Sequence, residues 1–185
     1  MDIDNRQLLN GVNLFLVGMM GAGITTVGHL LAQRLGYSFL DTDSLISQAA
    51  GKSISEVFAT EGEIAFRELE TNILSEVSSY TNLTIATGGG IVVKRFNWSY
   101  LQHGIVVWLN VPLEVLYSRL QGNWTRPLLQ DNNPLMKLQE LLEERKPLYA
   151  NADVHVNLNG KDTPEEVTML VLAEIKKVVK SRIVS

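Results

Sequence analysis

The sequence lacks cysteine, a secretion signal and any long apolar run. None of its 185 residues is cysteine, which excludes disulfide bonds and zinc sites built from thiolates. No apolar run approaches the roughly 18 residues that a membrane-spanning helix needs. The first residues, Met-Asp-Ile-Asp-Asn-Arg, have no apolar segment typical of a signal peptide. These absences predict a cytoplasmic protein that does not bind a membrane.

The sequence also lacks an excess of positive charge. Lys and Arg number 16 against 20 Asp and Glu, a net charge of −4. No broad basic surface is expected, so nucleic acid is not a predicted partner. An apolar content of 45% in a chain of this length is enough for one compact domain with a sizeable core. We expect one monomeric domain over residues 1–185, with loosely held ends at about 1–10 and 181–185.

The most informative missing residue is a lysine. Residues 18–26 read Gly-Met-Met-Gly-Ala-Gly-Ile-Thr-Thr, after an apolar run and before a helical pattern. The phosphate-binding pattern called Walker A requires Gly, any four residues, Gly, Lys and then Ser or Thr. Gly18, Gly23 and Thr25 match this pattern, but Ile24 occupies the lysine position.

The main chain of this loop does not depend on the lysine. Its glycines allow successive N–H groups to converge on phosphate oxygens at a helix N-terminus. The Thr25 hydroxyl stands where the pattern places a magnesium ligand. A glycine-rich turn that binds no nucleotide is the alternative interpretation. The predicted nucleotide-binding residues are Gly21, Ala22, Gly23, Ile24, Thr25 and Thr26.

The phosphoryl transfer does depend on the lysine, because its ammonium stabilises the negative charge on the β- and γ-phosphates during transfer. By analogy with removal of one partner of a buried ion pair, its loss costs about 3–5 kcal/mol. This corresponds to a factor of about 10²–10⁴ in transition-state stabilisation. Nucleotide binding is therefore expected to survive better than turnover.

Strand and helix patterns alternate along the whole chain without an internal repeat. This alternation predicts a three-layer α/β fold, a mainly parallel five-stranded sheet flanked by helices. A polar segment at about 121–134 predicts a mobile lid. Strands are predicted at 13–17, 37–40, 83–86, 105–109 and 154–157. Helices are predicted at about 24–35, 63–80, 112–120, 135–145 and from 163, with a short helix capped by Ser53 and Glu56.

Polar residues and glycines follow two of these strands. Asp41 and Asp43 come directly after the second strand, and Gly88, Gly89 and Gly90 follow the third. Open α/β sheets bind their ligands at the carboxyl ends of the strands, and glycine permits close approach of a ligand. Both segments are therefore candidate parts of one site.

Together these motifs resemble those of the shikimate kinases, P-loop enzymes related to the nucleoside monophosphate kinases. The resemblance spans about residues 13–174, and the sequence around the motifs is most similar to that of cyanobacterial and plastid members. Besides the loop, it rests on Asp41-Thr-Asp43, Phe66-Arg-Glu-Leu-Glu70, Gly88-Gly-Gly90, Arg126-Pro-Leu-Leu129 and Arg145-Lys-Pro-Leu-Tyr149.

The resemblance implies transfer of phosphate from ATP to the 3-hydroxyl of shikimate. It implies that Asp43 holds the acceptor hydroxyl, because transfer to an alcohol requires an acceptor for its proton. Arg67 and Arg145 would bind the shikimate carboxylate, and planar guanidinium groups suit that task. Gly88, Gly89 and Gly90 would present the main chain to the substrate, and Glu70 would orient Arg67.

On the nucleotide side, the resemblance implies that Asp41 acts through Mg²⁺ and its waters, together with Thr25. Arg126 would be the catalytic lid arginine that closes on the phosphates. Arg119 would flank the adenine, near the turn before Pro164.

Each assignment has a simpler alternative. Arg67 with Glu70, like Arg145 beside Glu143 and Glu144, has the spacing of an ordinary solvated ion pair. Asp41 and Asp43 are also suited to cap the following helix.

Two hypotheses for function follow from the substrate residues that are present and the lysine that is absent. The first is a shikimate kinase slowed by Ile24, in which Arg126 and Mg²⁺ carry the phosphate charge. The second is a non-catalytic shikimate- or nucleotide-binding protein of kinase fold. A kinase acting on another small molecule such as gluconate is less well supported, because the Asp pair, the glycines and the two arginines together describe a shikimate pocket.

Overall fold

The computed structural model describes residues 5–122, 127–130 and 132–184, with side chains described as far as residue 179. Arg126 and part of the predicted lid lie outside the described residues, as do residues 1–4. Within the described part, no helix combines the length and the apolar character needed to cross a bilayer.

A five-stranded sheet forms the centre of the domain, in the order β2-β3-β1-β4-β5. All four strand pairings are parallel, which confirms the predicted α/β fold and makes the sheet fully rather than mainly parallel. β1 is buried along its whole length, as its apolar sequence predicts for the middle of a covered parallel sheet. The strands are β1 Leu14–Val17, β2 Ser38–Asp41, β3 Leu83–Ala86, β4 Ile105–Asn110 and β5 Val154–Asn157.

Helices connect the strands, because parallel neighbours need crossover connections rather than tight hairpins. α1 begins directly after the glycine-rich loop and ends at Gly36, which takes the left-handed conformation with φ 68°. It packs against α7 and β3. The helices are α1 Ile24–Leu35, α2 Thr42–Ala50, α3 Ile54–Val77, α4 Asn97–Leu101, α5 Leu113–Leu120, α6 Pro134–Tyr149 and α7 Pro164–Val184, with 3₁₀ turns at Asn5–Gln7 and Pro127–Leu129.

Several helix boundaries differ from the sequence prediction. The two helices expected around 53–80 are both present in α3, separated at Gly62, whose φ of 85° and ψ of 174° are not helical. α4 was not predicted, and α2 was expected only in the alternative in which Asp41 and Asp43 cap a following helix. α6 continues beyond the predicted end at 145 and through Pro147, because Arg145 and Tyr149 lie one turn apart and are both buried.

The chain before β1 is held more tightly than expected. Leu8 and Leu9 are 3% and 4% exposed and belong to the main core. The expectation of a loosely held segment at 1–10 is therefore wrong for its described part, because these two leucines are buried there.

Asn97 fixes the segment between β3 and α4 against α3. Its side chain is fully buried, and its Nδ2 donates to the carbonyl oxygen of Ile91 at 2.9 Å. Its Oδ1 accepts from the hydroxyl of Thr71 in α3, also at 2.9 Å. Because Ile91 directly follows the three glycines, this amide sets the position of the glycine segment.

We expect Asn97→Ala to destabilise the domain by about 1–3 kcal/mol, because the carbonyl of Ile91 loses its buried partner. Urea unfolding followed by circular dichroism measures the change. The control is Asn151→Ala, since Asn151 is exposed and also donates to a main-chain carbonyl, that of Leu148 at 3.0 Å. Equal destabilisation by the two variants would contradict this role for Asn97.

Candidate active site

Two pockets adjoin at the carboxyl ends of β1, β2 and β3. The first, of about 310 Å³, contains Arg67 and Arg145 and is called the arginine pocket here. The second, of about 230 Å³, is lined by residues 18–26 and is called the loop pocket. Four residues line both pockets, so the two form one continuous site: Met20, Asp43, Gly88 and Gly89.

The glycine-rich loop has the geometry of a phosphate cradle. Gly21 and Gly23 have φ values of 82° and 86°, in the left-handed region that favours glycine. Gly23 precedes α1, and no side chain in the described structure caps this helix start. The first N–H groups of α1 therefore point into the loop pocket without a protein partner, which suits a phosphate anion.

Ile24 lines the loop pocket but packs mainly into the hydrophobic core. Its side chain is 9% exposed and belongs to the main hydrophobic core. Its Cδ1 lies 3.3 Å from the position that a Cβ would take on Gly18, so it packs beneath the loop. Among the described residues that line the loop pocket, the charged side chains are the carboxylates Asp41 and Asp43. The pocket thus has no cation where the Walker A pattern supplies one.

Thr25 and Asp41 meet at the base of the loop pocket. The hydroxyl of Thr25 donates to Oδ2 of Asp41 at 2.9 Å. The other carboxylate oxygen, Oδ1, accepts the N–H groups of Asp43 at 2.9 Å and Ser44 at 3.3 Å and so caps α2. The capping interpretation is therefore correct for Asp41, and the same cap holds it against Thr25. A hydroxyl and a carboxylate are hard oxygen ligands, which fit Mg²⁺ bound mainly by water and phosphate.

Arg67 is held on α3 by two carboxylates. Its Nη1 bonds Oε2 of Glu70 at 2.9 Å, and its Nη2 bonds Oε1 of Glu63 at 3.2 Å. The side chains of Arg67 and Glu70 are only 14% and 1% exposed, so this is not the ordinary solvated pair of the simpler interpretation. Burial opposes the charge of Arg67, but the charges and hydrogen bonds of both carboxylates outweigh it and raise the pKa of the guanidinium.

Arg145 projects from α6 into the same pocket and is 3% exposed. Its Nε and Nη1, like Nε of Arg67, have no hydrogen-bond partner among the described residues. Oε1 of Glu70 is likewise a buried acceptor with no partner in the described part. Buried polar atoms rarely stay unpaired in folded proteins, so these atoms indicate a ligand with both acceptor and donor groups.

The charges in the arginine pocket influence one another. Burial raises the pKa of Glu70; the charge and hydrogen bond of Arg67 oppose this rise, and the nearby charge of Asp43 adds to it. Burial also raises the pKa of Tyr149 to about 12, although the neighbouring Arg145 cation opposes the change. Tyr149 therefore remains protonated at neutral pH.

Gly88 and Gly90 are required by close packing rather than by positive φ, and at Gly89 a Cβ would lie 3.3 Å from the carbonyl oxygen of Gly18. A Cβ on Gly90 would overlap the guanidinium of Arg67, and one on Gly88 would lie 2.7 Å from Oδ1 of Asp43. A Cβ on Gly89 would lie 3.5 Å from Nη1 of Arg145. The main chain at 88–90 is therefore a wall of the arginine pocket.

Of the two other arginines predicted on the nucleotide side, only Arg119 is among the described residues. Its Nη1 donates to the carbonyl oxygen of Gly21 at 3.0 Å, so its guanidinium lies against the glycine-rich loop. The structure thus brings together the predicted residues of both pockets that it describes.

Two residues at the site were not predicted to have a role there. The hydroxyl of the buried Thr42 accepts the N–H of Gly88 at 3.1 Å, and the hydroxyl of Tyr149 donates to the carbonyl of Gly89 at 2.5 Å. Both residues stand inside motifs already noted, between the two aspartates and four positions after Arg145. Their position inside these motifs is the sequence feature that could have indicated a role at the site.

Comparison with known proteins agrees with this geometry. A shikimate kinase from Trichormus variabilis is 58% identical over 174 residues, covering 94% of this chain and 96% of the relative. The structure of a shikimate kinase from Acinetobacter baumannii in complex with shikimate has a TM-score of 0.84 and 41% identity. That match covers 91% of this chain and 97% of the solved chain.

A gluconokinase from Sinorhizobium meliloti has a TM-score of 0.59 but only 16% identity, over 94% of this chain and 96% of the solved chain. This likeness shows a shared fold alone. The family model of shikimate kinase matches residues 20–176. The match covers most of the chain, including the arginine pocket and all of the loop-pocket lining except Gly18 and Met19, and the chain therefore belongs to the shikimate kinase family.

Proposed function

We propose that this chain transfers the γ-phosphoryl group of ATP to the 3-hydroxyl of shikimate, giving shikimate 3-phosphate and ADP, and that Ile24 makes this transfer slow. The observation that carries the proposal is the position of Asp43. It lines both the pocket with the two arginines and the pocket with the phosphate cradle. A carboxylate at that junction reaches an acceptor hydroxyl in one pocket and faces a phosphate in the other.

The arginine pocket suits shikimate, a small polyol with one carboxylate. The unpaired donors of Arg145, together with Arg67, offer planar charge-assisted hydrogen bonds to the carboxylate. The unpaired Oε1 of Glu70 offers an acceptor to a hydroxyl group. The shikimate-bound state of the similar Acinetobacter baumannii kinase supports this choice of ligand.

The reaction is a direct displacement. The 3-hydroxyl oxygen attacks the γ-phosphorus, the bond between that phosphorus and the bridging oxygen to the β-phosphate breaks, and ADP leaves. Asp43 accepts the hydroxyl proton as the new oxygen–phosphorus bond forms. The N–H groups at the start of α1 hold phosphate oxygens. Thr25 and Asp41 would hold Mg²⁺, which supplies positive charge to the phosphates when bound.

The slow rate follows from the charges around the loop pocket. With Ile24 buried in the core, the described lining provides two carboxylates and no cation to the transferring group. Arg119, Mg²⁺ and the lid residue Arg126 are then the available positive charges. The same observation favours the second candidate, a protein that binds shikimate and nucleotide without turnover. A monomeric state and a cytoplasmic location stay predictions.

We expect Ile24→Lys to raise kcat at least about a hundredfold, because it restores the ammonium whose absence costs about 3–5 kcal/mol. A coupled assay of ADP release, run with and without shikimate, measures the gain. Ile24→Met is the control, since it replaces the same buried side chain with a flexible, unbranched one that carries no charge. A rate equal to that of the unaltered chain in both variants would mean that another cation already carries the phosphate charge.

We expect Arg145→Lys to raise the KM for shikimate about ten- to a hundredfold, because an ammonium cannot replace the paired hydrogen bonds of a buried guanidinium. The KM for ATP should stay within about twofold, since Arg145 does not line the loop pocket. Arg34→Lys is the matched control at an exposed position on α1. An unchanged KM for shikimate in Arg145→Lys would remove the arginine pocket as its binding site.

A further inference from the structure

The hydroxyl of Tyr149 lies between the two loops that form the candidate active site. It donates to the carbonyl oxygen of Gly89 at 2.5 Å and lies 3.5 Å from Sδ of Met19. Gly89 belongs to the glycine segment that walls the arginine pocket, and Met19 belongs to the phosphate-binding loop. One buried hydroxyl therefore touches both loops without lining either pocket.

The ring of Tyr149 has little freedom to move this hydroxyl. Tyr149 is fully buried, and its ring stacks on Trp108 of β4 with centroids 5.8 Å apart and planes 23° apart. Its backbone belongs to the last turn of α6, one turn after Arg145. The same helical turn thus fixes the substrate-side arginine and the donor to Gly89.

The glycine segment needs such a support. Glycine has the least restricted main chain of all residues, so three in succession have no intrinsic preference for one arrangement. Turn hydrogen bonds hold part of this segment, from the N–H of Ile91 to the carbonyl of Gly88 and from the N–H of Val93 to that of Gly90, both at 3.1 Å. Two side chains hold the remaining groups: Thr42 accepts the N–H of Gly88, and Tyr149 donates to the carbonyl of Gly89. The peptide that carries the N–H of Gly89 is thus held on both sides and has a defined direction.

We propose that Tyr149 is a positioning residue for the substrate: its hydroxyl sets the main chain of Gly88–Gly90 and thereby the N–H of Gly89 and the wall beside Arg145. This inference rests on the proposed function, because the ligand in the arginine pocket is taken to be shikimate. Tyr149 itself does not touch the substrate. Its effect passes through Gly89 and through Arg145, whose guanidinium neighbours the same hydroxyl. Deletion of the hydroxyl should therefore lower the affinity for the substrate while the domain still folds.

The test is Tyr149→Phe, which deletes only the hydroxyl. We expect the Kd for shikimate, measured by calorimetry, to rise about tenfold, as for the loss of one buried hydrogen bond. The Kd for Mg–ADP should change less than about twofold. The matched control is Tyr37→Phe, because the Tyr37 hydroxyl also makes one hydrogen bond to the main chain, accepting the N–H of Gly11 at 3.0 Å. That variant should bind shikimate as the unaltered chain does.

A second variant separates positioning from packing. Tyr149→4-aminophenylalanine keeps an N–H donor where the hydroxyl was, and it should restore most of the shikimate affinity lost in Tyr149→Phe. If Tyr149→Phe does not fold, the amino variant alone tests the proposal. Its Kd for shikimate should then be close to that of the unaltered chain, because its N–H donor still holds Gly89.

The outcomes distinguish this inference from the proposed function. Failure of the unaltered chain to bind shikimate would overturn the proposed function. Normal binding by the unaltered chain and equal binding by Tyr149→Phe would overturn only the role of Tyr149. Equal losses of affinity in Tyr149→Phe and Tyr37→Phe, or no rescue by the amino analogue, would also overturn it.

Discussion

The site depends on the close approach of charged side chains to a stretch of main chain without side chains. Arg67, Glu70 and Asp43 come so near to residues 88–90 that a Cβ on Gly88 or Gly90 would collide with them. This contact joins α3, the start of α2 and the end of β3 at the carboxyl edge of the sheet. The parallel order of β2, β3 and β1 makes the contact possible, because it brings the ends of these strands side by side.

The two pockets differ in how their charges are balanced. The arginine pocket is lined by two guanidinium groups and two carboxylates, and atoms of Arg67, Arg145 and Glu70 are buried there without a hydrogen-bond partner among the described residues. Buried charges are costly unless paired, so this pocket is prepared for a ligand that completes the pairing. In its described lining the loop pocket has only carboxylates as charged groups, and it therefore relies on backbone N–H groups and a metal ion to hold phosphate.

Features set by local sequence were predictable. The apolar strands and the exact span of α1 follow from burial patterns and from glycines at the helix ends. The convergence of Asp43, Arg67, Gly89 and Arg145, which the family resemblance implies, is also found in the structure. These residues follow the strand ends or lie on helices that pack beside them, so chain topology brings them together.

Features set by tertiary contact were not predictable. α6 passes through Pro147 because burial of Tyr149 and Arg145 holds its last turn, whereas proline alone suggests a helix end. Asp41 combines a helix cap with a hydrogen bond to Thr25, although the sequence presented capping and metal binding as alternatives. Ile24 packs into the space beside Gly18, and the sequence around Ile24 does not predict this contact.

The central claim is that the two pockets hold their ligands at the same time and meet at Asp43. Proton relaxation of shikimate in the presence of the chain and Mn²⁺–ADP tests it most directly, because paramagnetic relaxation falls steeply with distance from the metal. We expect strong relaxation of the shikimate ring protons that disappears when Mg²⁺ replaces Mn²⁺. Shikimate that binds but whose protons do not respond to the manganese would place the two ligands apart and contradict the account.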